Sequence, residues 1–87
     1  MSNSIHLETR DRLCGFLQTI ARPGIPIENL EDTTDLFDHG VLDSLAVIQI
    51  ILYLEREHGI DMGKSGIDPV QLGSIAGILN AIEQGST

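Results

Sequence analysis

The residues of this 87-residue chain that most clearly suggest chemistry are Asp43 and Ser44, an acid followed directly by a hydroxyl before an apolar segment. If a helix begins here, the Asp43 carboxylate can accept from the free backbone N–H groups of its first turn. The same helix end favours negative charge, so a phosphate on the Ser44 hydroxyl would be tolerated electrostatically. From the residues alone, Ser44 is either a capping residue or a point of covalent attachment.

A nucleophilic role for Ser44 has little support. No G-x-S-x-G elbow surrounds it, and a triad would have to take its base from His6, His39 or His58. A chain of 87 residues is also too small to shape an acyl pocket with an oxyanion hole. His39 is close in sequence, but a surface-loop histidine is the simpler interpretation. A small hydrolase that uses Ser44 stays an alternative for experiment to test.

The spacing of other reactive residues supports neither a metal site nor a nucleotide site. The three histidines have no ligand-like spacing to each other or to Cys14, and no H-E-x-x-H is present. Asp35 and Asp38 lack the spacing of an EF-hand loop and its closing glutamate. The G-K-S sequence at 63–65 resembles the end of a P-loop, but the glycine required five residues earlier is absent. We therefore expect no specific metal site.

The net charge of −8 indicates which partners suit the chain. Nucleic-acid binding needs clustered Lys and Arg to neutralise phosphates, and an anionic membrane surface is disfavoured for the same reason. Between residues 28 and 43 the chain has six acids and no Lys or Arg, which favours partners with basic patches over a merely solvated loop. The six are Glu28, Glu31, Asp32, Asp35, Asp38 and Asp43.

Hydrophobic periodicity predicts an all-α fold. Residues 5–20 are predicted to form an amphipathic helix, with Leu13, Phe16, Leu17 and Ile20 on its apolar face. A long connection over 21–42 follows, with a turn at Gly40 and apolar residues that can hold it against a helical core. These anchors are Ile27, Leu30, Leu36, Phe37, Val41 and Leu42.

The second helix is predicted to open at Asp43 or Ser44 and to end before Gly59, a residue type common just after a helix. Its apolar residues cover so much of its circumference that we expect it to be largely buried. They include Leu45, Ile48, Leu52 and Leu54.

The rest of the chain is predicted to add two shorter helical elements. After a Gly-rich connection over 59–67, residues 68–72 form a short turn of helix. Ser74 then caps a last helix that runs to about Glu83, and residues 85–87 fray. The predicted architecture is a single domain over 1–87, with three main helices, one short helix and a long loop after the first helix.

Other features point to an intracellular protein. The single cysteine, Cys14, cannot form an intramolecular disulfide, and its apolar neighbours suggest a buried packing role. No signal peptide is visible, and the longest apolar stretch, 45–54, is too short to span a bilayer. We expect a cytoplasmic monomer.

The sequence around Ser44 resembles the acyl carrier protein family. The resemblance lies in the segment D-L-F-D-x-G-x-L-D-S-L at 35–45 and in the apolar helix that follows, and it extends over nearly the whole chain. It implies an acyl-carrier-like four-helix bundle whose serine carries a covalent 4′-phosphopantetheine arm derived from coenzyme A. Under this resemblance, Ser44 is the attachment site.

The resemblance also implies a function without catalysis. The thiol of the arm holds an acyl or aminoacyl group as a thioester, and the carrier presents this group at raised effective concentration to partner enzymes. The implied partners are a phosphopantetheinyl transferase, a ligase that loads the acyl or aminoacyl group, and a downstream synthase or transferase.

The chain departs from fatty acid carriers just after Ser44. Those carriers usually place acids on the exposed face of this helix, where Ala46 and Gln49 stand here. We therefore expect a more neutral docking surface and the partners of a specialised pathway, such as polyketide or nonribosomal peptide synthesis. The expected docking residues are Asp35, Asp38, Asp43, Leu45, Ala46 and Gln49.

Two alternatives to a specialised-pathway carrier remain open. The pattern around Ser44 is also similar to that of the D-alanyl carriers, which serve modification of the cell envelope. An alternative of another class is a helical interaction module that kept the carrier fold and is never modified.

Overall fold

A computed structural model of the chain describes residues 2–85, with side chains described from residue 8 onward. Three helices are long: α1 (Ser2–Ile20), α2 (Ser44–His58) and α4 (Ile75–Gly85). The shorter elements are α3 (Met62–Ser65) and two 3₁₀ turns, at Ile27–Asn29 and Pro69–Gly73. Residues 2–85 contain no strand, and the predicted all-α bundle of three main helices with a long loop after the first is confirmed.

The helix ends follow local signals in the sequence. The Asp43 carboxylate accepts from the Ala46 N–H at 3.1 Å, and the Ser74 hydroxyl accepts from the Gly77 N–H at 3.0 Å. Gly59 follows α2 in the left-handed region, with φ 64°, where a side chain would be strained. All three predicted caps are confirmed.

Some boundaries differ from the prediction. α1 begins at Ser2 and not at residue 5, and α3 lies in the segment 59–67 that was predicted to be a plain connection. Asp61 caps α3, since its carboxylate accepts from the Gly63 N–H at 2.9 Å. The predicted turn at 68–72 is present as the second 3₁₀ turn, Pro69–Gly73. The predicted fraying at the end of the chain falls mostly on residues 86–87, which lie outside the described residues.

The core lies between α1, α4 and the inner face of α2. Leu13 and Leu17 of α1 and Ile75 and Ile78 of α4 are fully buried. Cys14 is buried among them, and this burial raises the pKa of its thiol, which suits the predicted packing role.

Only one face of α2 is buried, so the expectation of a largely buried helix is wrong. Because α2 crosses the surface of the bundle, its inner face packs on α4 and the second 3₁₀ turn while its outer face meets solvent. The buried residues follow the spacing i, i+4, i+8 and are Ala46, Ile50 and Leu54. The exposed apolar residues are Leu45, Ile48 and Leu52, at 60%, 56% and 46% exposure.

The long connection is held to the bundle by its apolar anchors and by the backbone of Leu36. The Leu36 N–H donates to the Gly73 carbonyl at 2.8 Å, while its own carbonyl accepts from Val41 and Leu42 at 2.9 and 3.1 Å. The side chains of Ile27, Leu36, Val41 and Leu42 are buried, and Leu30 and Phe37 are partly buried, as predicted.

Asp32 forms a second attachment between the connection and the helices. The Arg10 guanidinium donates to both carboxylate oxygens of Asp32, with a shortest distance of 2.7 Å, and these bonds raise the pKa of Arg10. The carbonyl of Asp32 accepts from the Ala76 N–H at 2.8 Å. Asp32 therefore joins α1 to the start of α4.

Gly77→Ala is expected to destabilise the fold, because a Cβ at this position would overlap the carbonyl oxygen of Gln71 where α4 meets the second 3₁₀ turn. The free energy of unfolding, measured with urea, should fall by about 1–3 kcal/mol. Gly15→Ala is the matched control, since a Cβ there has open space, and it should stabilise α1 by about 0.5–1 kcal/mol. Wild-type stability for Gly77→Ala would contradict this close packing.

Candidate functional site

Ser44 is the first residue of α2, and its side chain is exposed. Asp43 precedes it with extended backbone and serves as the N-cap, since its carboxylate binds the Ala46 N–H. Within the described residues, the Ser44 hydroxyl has no hydrogen-bond partner. The capping interpretation of Ser44 is therefore wrong: Asp43 caps the helix, and the hydroxyl faces solvent.

The turn before Ser44 is rigidly placed by its neighbours. Gly40 adopts a left-handed φ of 70°, which lets the chain turn from the acidic loop towards α2. Val41 and Leu42 then lie in the core, at 4% and 5% exposure. Because the two residues before Asp43 are buried, the exposed hydroxyl has a defined position at the end of a long loop.

The acids near Ser44 have different structural roles. Asp35 Oδ1 accepts from the backbone N–H groups of Phe37 and Asp38 at 3.0 and 2.9 Å, so Asp35 closes the turn that begins at this residue. His39 Nδ1 lies 2.9 Å from the Asp35 carbonyl oxygen. The Asp38 carboxylate is exposed and has no hydrogen-bond partner among residues 2–85.

A shallow cavity of about 340 Å³ lies between this loop, α2 and the second 3₁₀ turn. Asp35 and Asp38 line its polar side, and Phe37, Val47 and Val70 line its apolar side. Val47 lies three residues beyond Ser44, just under one helical turn, so the cavity adjoins the first turn of α2. Val70 is 84% exposed, which makes the cavity open to solvent.

The structure separates the expected docking residues into two groups. Asp35, Asp38, Asp43 and Leu45 are exposed, and Gln49 is partly exposed. Ala46 was expected on the same face and is fully buried, because its spacing places it with Ile50 and Leu54 on the inner face of α2. The expectation that Ala46 contacts partners is wrong.

Sequence reasoning did not recognise that Ile48 and Leu52 are surface residues. With Leu45 they follow the spacing i, i+3, i+7, which places them in one line along a helix. We call Leu45, Ile48 and Leu52 the exposed apolar strip. The helical spacing was a signal of a shared face, but only packing decides whether that face points inward.

Tyr53 and His58 lie towards the far end of α2 and join it to α1. The rings of Phe16 and Tyr53 stack with centroids 4.3 Å apart, and His58 meets the edge of Tyr53 at 5.7 Å. Burial raises the pKa of Tyr53 and lowers the pKa of His58. A cavity of about 420 Å³ is lined by Phe16 of α1 and by residues of the middle and end of α2, which are Gln49, Leu52, Tyr53, Arg56 and Glu57.

Among the described residues, no group of three or more His, Cys, Asp or Glu side chains could hold a metal ion. None of the described helices has both the length and the continuous apolar sequence that a bilayer-spanning segment requires.

A family model for the phosphopantetheine attachment site matches residues 15–82. The chain belongs to this family. Its members attach 4′-phosphopantetheine covalently, so the chain is a carrier protein of the acyl carrier type, and such carriers are not themselves catalytic. The matched residues include Ser44, all of α2 and most of α4. Comparisons with curated proteins and with solved structures gave no significant match.

The residues around Ser44 fit the phosphate of such an arm. The hydroxyl is exposed and unbonded, and the first backbone N–H groups of α2 have no acceptor within the helix. The adjacent Asp43 carboxylate takes only the Ala46 N–H. When bound, the group supplies a thiol on a flexible arm, and the chain contributes a fixed, accessible point from which the arm extends.

Asp43→Ala is expected to lower the free energy of unfolding by about 1 kcal/mol, because it removes the side-chain acceptor of the Ala46 N–H and leaves only the Asp43 carbonyl. Urea denaturation followed by circular dichroism measures the effect. Asp38→Ala is the matched control from the same acidic loop, and its stability should stay within about 0.5 kcal/mol of wild type. Equal losses in both variants would show that the Asp43 cap contributes nothing specific.

Proposed function

We propose that this chain is a discrete acyl or aminoacyl carrier whose arm is attached to the Ser44 oxygen. The observation that carries the proposal is the exposed, unbonded hydroxyl of Ser44 directly after the Asp43 cap, inside the residues that match the family. Ser44 also has the only hydroxyl between residues 35 and 52. A phosphodiester needs such an oxygen, and this segment offers no other.

In the attachment step, the Ser44 oxygen forms a bond to the phosphorus that carries pantetheine in coenzyme A. The anhydride bond between this phosphorus and the adenosine part of coenzyme A breaks, and the hydroxyl proton passes to the transferase. The carrier contributes position only: the Asp43 cap and the buried residues before it fix the oxygen at the first turn of α2.

The exposed apolar strip is the proposed centre of the docking surface. Leu45, Ile48 and Leu52 form a line that begins next to Ser44, and Gln49 lies beside them on the same helix. Asp43 precedes the serine at the start of α2, and Asp35 and Asp38 line a cavity together with Val47 of the same helix. A partner with an apolar patch and flanking basic residues would match this surface.

The neutral character of the strip supports partners from a specialised biosynthetic pathway. No acid occurs in α2 before Glu55, so contact along the strip depends on apolar burial more than on charge. The proposed partners are a phosphopantetheinyl transferase, a loading ligase and a downstream synthase or transferase. A D-alanyl or other amino acid carrier of cell-envelope modification is the second candidate, and the D-L-F-D-x-G-x-L-D-S pattern supports it.

Loading with coenzyme A and a promiscuous phosphopantetheinyl transferase tests the attachment site by intact mass. The wild-type chain should gain one phosphopantetheine, and Ser44→Ala should gain none because the accepting oxygen is gone. Ser65→Ala removes another exposed hydroxyl and should be loaded like wild type.

Two results of the loading experiment would contradict the proposal. A wild-type chain that never gains mass would favour the unmodified interaction module, and equal loading of Ser44→Ala would place the attachment elsewhere. Labelling of Ser44 by an active-site phosphonate would favour a hydrolase instead.

The docking surface is tested by Ile48→Gln and Leu52→Gln, which make the strip polar without touching Ser44. We expect kcat/KM for transferase loading to fall about tenfold in the double variant, because apolar contact with the partner is lost. Both residues are exposed, so the melting temperature should change little. Val70→Gln changes an even more exposed apolar residue outside α2 and should load normally. If all variants load equally, the strip is not the docking surface for the transferase.

A further inference from the structure

Arg22 is a basic residue in an otherwise acidic part of the chain. Between residues 13 and 54 it is the only Lys or Arg, while the same range has six acids. Arg22 follows the end of α1 and is exposed. It is far from Ser44 in sequence, so its position relative to the attachment site depends entirely on the fold.

The fold brings Arg22 to the turn that leads into α2. Its backbone N–H donates to the Val41 carbonyl at 3.0 Å. Its guanidinium Nη1 lies 3.9 Å from the place that a Cβ on Gly40 would occupy. Arg22, Gly40, Val41 and Asp43 line one cavity of about 350 Å³. The guanidinium therefore shares a cavity with the residue that directly precedes Ser44.

The guanidinium of Arg22 is not engaged within the described residues. It has neither an ion pair nor a hydrogen bond there, in contrast to Arg10, which is fully engaged by Asp32. The nearby Asp43 carboxylate is not within ion-pair distance of it and instead binds the Ala46 N–H. The cationic guanidinium of Arg22 thus shares a cavity with Asp43 and has no acceptor among the described residues.

We infer that Arg22 binds the phosphodiester on Ser44 and positions the root of the arm. This inference rests on the proposed attachment at Ser44. The diester would place a negative charge beside the Asp43 carboxylate and the acidic loop, where like charges repel. The planar guanidinium can donate two parallel hydrogen bonds to the two free phosphate oxygens, which offsets this repulsion and restricts rotation about the Ser44 side chain.

Binding by Arg22 would also give the arm a direction. Because Arg22 lies just beyond the end of α1 and beside the turn at Gly40 and Val41, the phosphate would be drawn towards that turn. The exposed apolar strip begins after Ser44 and follows α2. The root of the arm would then leave the strip uncovered for a partner.

The test compares wild type, Arg22→Gln and Arg56→Gln, each before and after loading with phosphopantetheine. Arg56 is a matched control, since it is exposed and lies twelve residues along α2, about 18 Å from Ser44. Two quantities are measured: the ³¹P chemical shift of the diester and the difference in melting temperature between loaded and unloaded chains.

We expect Arg22→Gln to move the ³¹P resonance and to make the loaded-minus-unloaded difference in melting temperature less favourable by about 2 °C. Arg56→Gln should leave both quantities at their wild-type values. Arg22→Lys keeps the positive charge but loses the planar guanidinium with its two parallel donors, so it should give intermediate values of both quantities. Molar salt should shift the wild-type ³¹P resonance towards that of Arg22→Gln, since it screens the contact.

The outcomes separate this inference from the proposed function. Loading of all variants with identical ³¹P shifts and identical temperature differences would overturn the role of Arg22 and leave the attachment at Ser44 intact. A wild-type chain that cannot be loaded at Ser44 would overturn both. If Arg22→Gln is unfolded before loading, the comparison of Arg22→Lys with wild type decides by the same two measurements.

Discussion

The hydrogen bonds of the Leu36 backbone are the constraint on which the position of Ser44 depends. The N–H of Leu36 is bound by the second 3₁₀ turn, its carbonyl holds Val41 and Leu42, and its side chain is fully buried. A long connection has many conformations to lose, and each residue that is fixed costs about 1–2 kcal/mol of entropy. Leu36 divides this connection, so that only a short turn, held by two hydrogen bonds to the Leu36 carbonyl, separates this core residue from Asp43 and Ser44. The serine lies at a loop end but is positioned by the core.

Several of the acids between residues 28 and 43 have structural roles in addition to giving the surface its negative charge. Asp32 pairs with Arg10, Asp35 closes a turn, and Asp43 caps α2. The charges of Asp32, Asp35 and Asp43 therefore belong to side chains in defined positions. These contacts also explain how a segment without Lys or Arg of its own can keep a fixed fold despite the repulsion between its acids.

The sequence was sufficient where structure is determined locally. Asp43, Gly59 and Ser74 act on backbone groups within three or four residues, so their roles followed from residue type and position. The sequence was insufficient for α2, which is apolar on most sides. Hydrophobic periodicity cannot decide which of two apolar faces points inward, and packing on α4 buried the face with Ala46. The position of Arg22 could not be predicted from the sequence either. A contact between distant parts of the chain, the hydrogen bond from its backbone N–H to the Val41 carbonyl, brings it to the turn before Ser44. The four-residue α3 was too short to produce a periodic signal.

The Asp43 cap has a consequence for how the state of the carrier is communicated. Because the carboxylate and the carbonyl of Asp43 both accept from the Ala46 N–H, α2 is capped without any group on its first residue. Under the proposed attachment at Ser44, loading would therefore add a group to a helix that is already capped. The arm and its cargo, and not the cap of α2, would then distinguish an empty carrier from a loaded one. The arm would carry the information about the cargo, and the protein would present the same capped α2 in both states.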